Sequence, residues 1–239
     1  MAEQGLRPDW ATLSRVAILA TVLTFALTGC GAFRDASAPR DPVAAVAWQE
    51  WRRFGGETLV YGGPGTHNGG VHESREPLNS RIGDYWALVG RREWDGRSGK
   101  PWSGIFVAWA VHQAGVSARE FPASGRHAGF LMPLLDGQLN GGPRRFVVHD
   151  WRDYAPKPGD LICAGTRAAP HRGVEALRDA VDREVTHCDV VVEVRGGQVR
   201  AIGGNVRDTV TMSIFPRNGG GTLAEVAGRP WFAVVEKRG

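Results

Sequence analysis

Three residues far apart in the chain have the side-chain types that covalent acyl transfer needs: Ser103, His187 and Asn205. Ser103 lies in PWSGIFVAWAV (101–111), just ahead of a run of bulky apolar residues, so its hydroxyl is predicted at the N-terminus of a buried helix. Free N–H groups and the helix dipole favour developing negative charge there. His187 opens HCDVVVEV, which turns strongly apolar two residues later and reads as a strand. Asn205 closes AIGGN, just past a glycine pair that turns the chain. A nucleophile, a base on one strand and an orienting amide on its neighbour are the parts of an acyl-transfer site. Each residue also has an ordinary reading. Serine is a common helix cap, a strand-end histidine is often a satisfied surface or core residue, and Asn after Gly-Gly is often a turn.

Neighbouring residues extend the pattern. Side chains alternate along a strand, so Asp189 shares the face of His187 while Cys188 points the other way. Asp189 then orients the imidazole, contacts substrate, or pairs with an arginine. The same parity removes Cys188 as a nucleophile served by His187. It also argues against a metal ion held by residues 187–189, and nothing in the sequence requires a metal or organic cofactor. Trp102 either shapes the cleft beside Ser103 or belongs to the core. His127, in SGRHAGF, either reaches the cleft or caps a helix in solvent. The amides near Ser103 and Gly104 are candidates to hold an oxyanion. Cys163 and Cys188 read either as a disulfide or as two small buried residues in neighbouring strands.

The elements that must position these groups follow from periodicity and turn signals. AVAWQEWRRF (45–54) places Trp48, Trp51 and Phe54 on one face of a short helix, and GGETLVYGG after it reads as irregular. NSRIGDYWALVG predicts a helix capped by Asn79 or Ser80 and ended by Gly90. PWSGIFVAWAVHQAG gives the next helix, closed by Gly115, and HAGFLMPLLDGQLNGG a third, interrupted by Pro133. From about Val147 the period changes. PGDLICAG, HCDVVVEV, QVRAIGG, DTVTMSIF and RPWFAVVEK read as strands, with GVEALRDAVDRE a helical insertion. Helices first and a meandering antiparallel sheet afterwards describe an α+β domain.

The N-terminus carries a different message. Arg7 and Arg15 precede VAILATVLTFAL (16–27) and then Thr28-Gly29-Cys30, the plan of a secretory signal. Twelve apolar residues reach roughly 18 Å as a helix, short of a hydrocarbon core of about 30 Å. GAFRDASAPRDP (31–42) reads as a tether. The net charge of +4 is mild and its arginines are scattered, without the dense basic-aromatic interleaving of a nucleic-acid binder. A basic protein tolerates an anionic envelope polymer.

LTGC resembles the lipobox of bacterial lipoproteins, which implies that residues 1–29 are removed and Cys30 is lipidated. Gly31 in the following position implies sorting to the outer membrane, facing the periplasm. PWSGIFVAWAVHQAGV is similar to the nucleophile helix of papain-like cell-wall hydrolases of the CHAP and NlpC type. PKPGDLICAG resembles their P-x-x-G-D strand, and HCDVVVEVRGGQVRAIGGNVRDTV their histidine strand, hairpin and G-G-N strand end. These matches occur in the family's order over most of residues 100–215. The resemblance implies a papain-like α+β domain over 44–239, behind a lipidated tether at 30–43. Ser103 then stands in the nucleophile position, His187 in the base position and Asn205 in the third. The implied substrate is peptidoglycan or a related envelope polymer. The departure is serine where that family has cysteine. The sequence also resembles a group of bacterial envelope lipoproteins, classed as a domain of unknown function, that shares the serine. A serine hydroxyl is not ionised near pH 7, so a neutral histidine must take its proton during attack. Two functions follow: an amide hydrolase, or a module that keeps the cleft for binding without turnover.

Overall fold

The computed structural model describes residues 1, 38–63, 69–142, 144–167 and 173–239. The signal-like segment, Cys30 and most of the tether therefore lie outside the described residues. Ala38–Gly239 is one unit, and its first helix starts at the tether's predicted end.

That helix, α1 (Pro42–Arg53), has Asp41 as its N-cap, the carboxylate accepting from the Val43 and Ala44 amides, with proline at the first position. Trp48 and Trp51 share a face, their ring centroids 4.9 Å apart. The segment read as irregular holds a short strand, β1 (Glu57–Val60). Helices α2 (Leu78–Ala87), α3 (Ser103–Gln113) and α4 (His127–Leu139) come next, then strands β2 (Phe146–Asp150) and β3 (Leu161–Gly165). Helix α5 (Val174–Glu184) leads into β4 (Val185–Arg195), β5 (Gln198–Gly203), β6 (Thr211–Pro216) and β7 (Trp231–Lys237).

Two helices depart from the sequence reading. Asn79 and Ser80 do not cap α2; they sit inside its first turn and bond back to the Glu76 carboxylate. Pro133 does not interrupt α4, which runs through it. Proline removes one helical hydrogen bond. Phe130, Leu131, Leu134 and Leu135, all buried on that helix, hold it against the core regardless.

Among the described residues the strands form one sheet in the order β1-β6-β5-β4-β3-β7-β2. Strands β3 to β6 meander as the sequence suggested, but β7 returns to pair with β3, and β2 joins its far side. Only the β1–β6 pairing is parallel. The fold is thus α+β with a mostly antiparallel sheet. Alternation along β3 and β4 splits the core in two. Leu161, Cys163, Cys188, Val190 and Val192 face the helices, while Ile162, Ala164 and Val191 face a smaller cluster with Trp151, Phe215 and Trp231. Helix α3 is apolar on every side and buried from Gly104 to Val111, so it is the central helix of the larger layer. No helix among the described residues is long and apolar enough to cross a membrane.

Candidate functional site

Ser103 is the first residue of α3 and is half-buried. Its Oγ lies 2.8 Å from Nε2 of His127, the first residue of α4. One contact explains how the two helix starts meet. Gly104 follows Ser103, and a side chain on it would collide with the Gly125 carbonyl. The missing Cβ lets the 124–126 loop press against the first turn of α3 and deliver His127 to the hydroxyl.

No hydrogen bond joins His187 to Ser103 among the described residues. Its Nε2 is 2.7 Å from Oδ1 of Asp189, two residues along on the same strand face. The His187 and His127 rings meet edge to face with centroids 5.5 Å apart. His127 therefore contacts both the serine and the histidine expected to serve it. Behind them Asp189, 1% exposed, faces Arg229 Nη1 at 3.9 Å, and Arg229 Nε donates to the Tyr61 hydroxyl at 3.0 Å. Gly203 pairs beside this group, and a Cβ there would strike the Asp189 carboxylate and the His187 ring.

Asn205 is not gathered in. It sits half-buried in the left-handed region, φ 57°, and no hydrogen bond joins it to either histidine among the described residues. Its expected place beside His187 is taken by Asp189. Trp102 is fully buried and does not line a cleft. Its ring packs near Phe54, Tyr85 and Phe106, beneath Gly204, and its Nε1 donates to Glu73 at 2.5 Å. Gly104 is buried as well, so it acts through close approach. Cys163 and Cys188 lie opposite each other in β3 and β4 and are joined by a disulfide within the core.

Burial, and then the neighbouring His187, push the His127 pKa down to about 3. The imidazole is therefore neutral at pH 7, the state able to accept a serine proton. With its proton on Nδ1, Nε2 is an acceptor for the hydroxyl. Nδ1 is buried and has no hydrogen-bond partner among the described residues, so none of their carboxylates orients this ring directly. Burial pushes the Asp189 carboxyl up, but the charges of His187 and Arg229 outweigh it and hold it below the usual carboxylate range. Arg229 is raised in turn, Asp189 overcoming the effect of burial.

Ser103 and His127 open onto a cleft of about 620 Å³ whose walls include Trp86, Trp94, Arg91 and Lys100. The Arg91 and Lys100 cations lie 5.0 and 5.4 Å from the Trp94 ring centroid. Thr186 also lines it, whereas His187 does not. The N–H groups of Ser103, Gly104 and Ile105 lie in the opening turn of α3, where no intrahelical acceptor is in reach, whereas Phe106 N–H donates to the Trp102 carbonyl at 3.0 Å. No group of residues suited to a metal ion occurs among the described residues.

A family model described as an uncharacterized protein conserved in bacteria, DUF2272, matches residues 74–237. The chain belongs to this family. No curated protein and no solved structure matches it. The DUF2272 match includes Ser103, His127, His187, Asp189, Asn205 and Arg229, and excludes α1, β1 and Tyr61. Tyr61 and Arg229 carried no signal in the sequence, because the contact joins positions 168 residues apart. His127 carried one: a histidine at a predicted helix start.

Proposed function

We propose that this DUF2272 protein is a serine-dependent hydrolase of amide or peptide bonds, on a papain-like scaffold exported and lipid-anchored at Cys30. The observation that carries the reading is the 2.8 Å contact between Ser103 Oγ and a neutral, buried His127 at the head of a helix, open to a cleft. Ser103 attacks the substrate carbonyl while its proton passes to His127 Nε2. The oxyanion faces the free amides of the first turn of α3. The C–N bond then breaks, His127 returns the proton to the leaving amine, and water releases the acyl group by the reverse sequence. The base role moves from His187 to His127. His187 and Asp189 form the layer behind it, with Asp189 the buried negative charge nearest the imidazolium that forms. Asn205 and Trp102 have no part.

The expected export and the resemblance to cell-wall hydrolases support peptidoglycan or a related envelope polymer as the substrate. The cationic and aromatic walls of the cleft suit its carboxylate-bearing peptides.

One observation favours the second reading, a binding module without turnover. An imidazole whose pKa is about 3 is a weak base, and proton transfer to it is uphill. A fluorophosphonate probe and digestion of purified peptidoglycan separate the two. Labelling of the native protein and release of soluble fragments, both absent in Ser103→Ala, are expected for the hydrolase. Saturable sedimentation with peptidoglycan, without labelling or fragments, would establish the binding module instead.

A further inference from the structure

Toward the C-terminal end of α4, away from the cleft, lies a second and larger groove of about 840 Å³. Arg119, Arg144, Arg145 and Arg238 surround it over Leu134 and Phe146, with Glu120 the acidic side chain among them. Strand pairing assembles this cluster. Phe146 stands opposite Lys237, and the Arg238 amide donates to the Arg145 carbonyl at 2.7 Å, which brings the two arginines side by side. Arg145 is paired with Glu120 at 3.2 Å and Arg238 with Glu236 at 2.9 Å. Arg119 and Arg144 are exposed and pair with no carboxylate among the described residues. Arg144 Nε bonds only the Gly142 carbonyl, 3.0 Å away. Exposed guanidinium groups with their charge unmatched fit phosphate. The groove offers no exposed aromatic ring on which a base could stack, which sets nucleic acid aside.

The same edge is where the chain enters the fold. Asp41 caps α1 and accepts from the Lys237 ammonium at 2.7 Å, in a pair largely withdrawn from water. Gly159 lies so close to Asp41 that a side chain there would collide with its carboxylate. The entry point is thus fixed one residue from Arg238. From residue 30 to Asp41 the chain reaches at most about 40 Å, so a surface holding the preceding segment lies within that distance of this edge.

We propose that the arginine groove docks the domain onto a bilayer surface bearing anionic phospholipids. The inference is independent of the chemistry at Ser103, and it agrees with the expected lipid at Cys30 without requiring it. Helix α4 runs from cleft to groove. His127 and Gly137 are ten residues apart along it, or about 15 Å, so the groove and the cleft are separate sites on one helix.

The unit 38–239, which holds every strand among the described residues and its own core, is sedimented with vesicles of phosphatidylcholine alone or mixed equally with phosphatidylglycerol. Binding only to the anionic vesicles, lost at high salt, is expected. Each arginine near such a surface contributes about five-fold, so Arg119→Gln with Arg144→Gln weakens binding roughly thirty-fold. An unchanged melting temperature shows that the fold is kept, and Arg119→Lys with Arg144→Lys retains most of the binding. The control pair Arg91→Gln and Lys100→Gln in the cleft leaves it unaltered. Equal loss in the control pair, no loss in the groove pair, or capture of soluble polyphosphate without binding to vesicles would each overturn the proposal.

Discussion

His127 shows how one position can carry both the case for chemistry and a cost to the fold. It is 5% exposed, its Nδ1 lacks a partner, and its pKa is pushed down to about 3, first by burial and then by His187. In the unfolded chain an imidazole takes up a proton below about pH 6.5, whereas the folded protein resists until about pH 3. Across that window the unfolded state binds the extra proton, so stability falls as pH falls, by up to about 1.4 kcal/mol per pH unit from this one group. Asp189 adds its own loss only at more acid pH. Its folded pKa is depressed, so its contribution is full above the unfolded carboxylate value of about 3.9 and disappears below it. His127→Gln keeps a partner for Ser103 but cannot titrate. Urea unfolding at pH 7, 6 and 5 is expected to show a falling stability in the native protein and a flatter profile in the variant. Parallel profiles would mean that the imidazole is solvated and that its neutrality at Ser103 is misread.

Among the elements, the helices were the more legible part of the sequence, because a 3.6 period and a terminal glycine are local signals. Trp48, Trp51 and Phe54 announced α1, and α3 ends two residues before Gly115, which takes up φ 84°. What failed was non-local. Strand β1 is four residues in a glycine-rich stretch, and it is a strand because β6, some 150 residues later, pairs with it. Ser103 and His127 could each be placed at a helix start, but their contact could not, since no period reports which loop a helix start touches. That contact depends on Gly104 and makes a test in which two terms oppose. Replacing a helical glycine by alanine gains up to about 1 kcal/mol from propensity. Here the added methyl meets the Gly125 backbone carbonyl, and overpacking of that kind costs about 1–3 kcal/mol. The steric cost wins because a backbone atom cannot rotate away. Gly104→Ala is expected to be less stable by urea unfolding and to lose fluorophosphonate labelling at Ser103. A variant as stable as the native protein would show that the 124–126 loop is not pressed against α3.

At the scale of the whole molecule, the family match begins at Ser74, yet the folded unit begins before it. Helix α1 packs on α3, β4 and β5, and Phe54 comes within 6.0 Å of the buried Trp102 ring that underlies the start of α3. Strand β1 covers the edge of β6, and Tyr61 supplies the hydroxyl to Arg229. Val43, Trp48 and Phe54 are all buried, and at about 1.5–3 kcal/mol each they contribute roughly 5–9 kcal/mol. That sum is comparable with the whole net stability of a typical domain, about 5–15 kcal/mol. Removing residues 38–73 would also expose the outer face of α3 and an unpaired strand edge, a template for aggregation. The piece 74–239 is therefore expected to lack a cooperative thermal transition, whereas 38–239 melts in a single step by circular dichroism. If 74–239 melted cooperatively within a few degrees of the longer piece, α1 and β1 would be accessories. Arg229 would then hold Asp189 without Tyr61, and the cluster behind His127 would be complete within the matched residues alone.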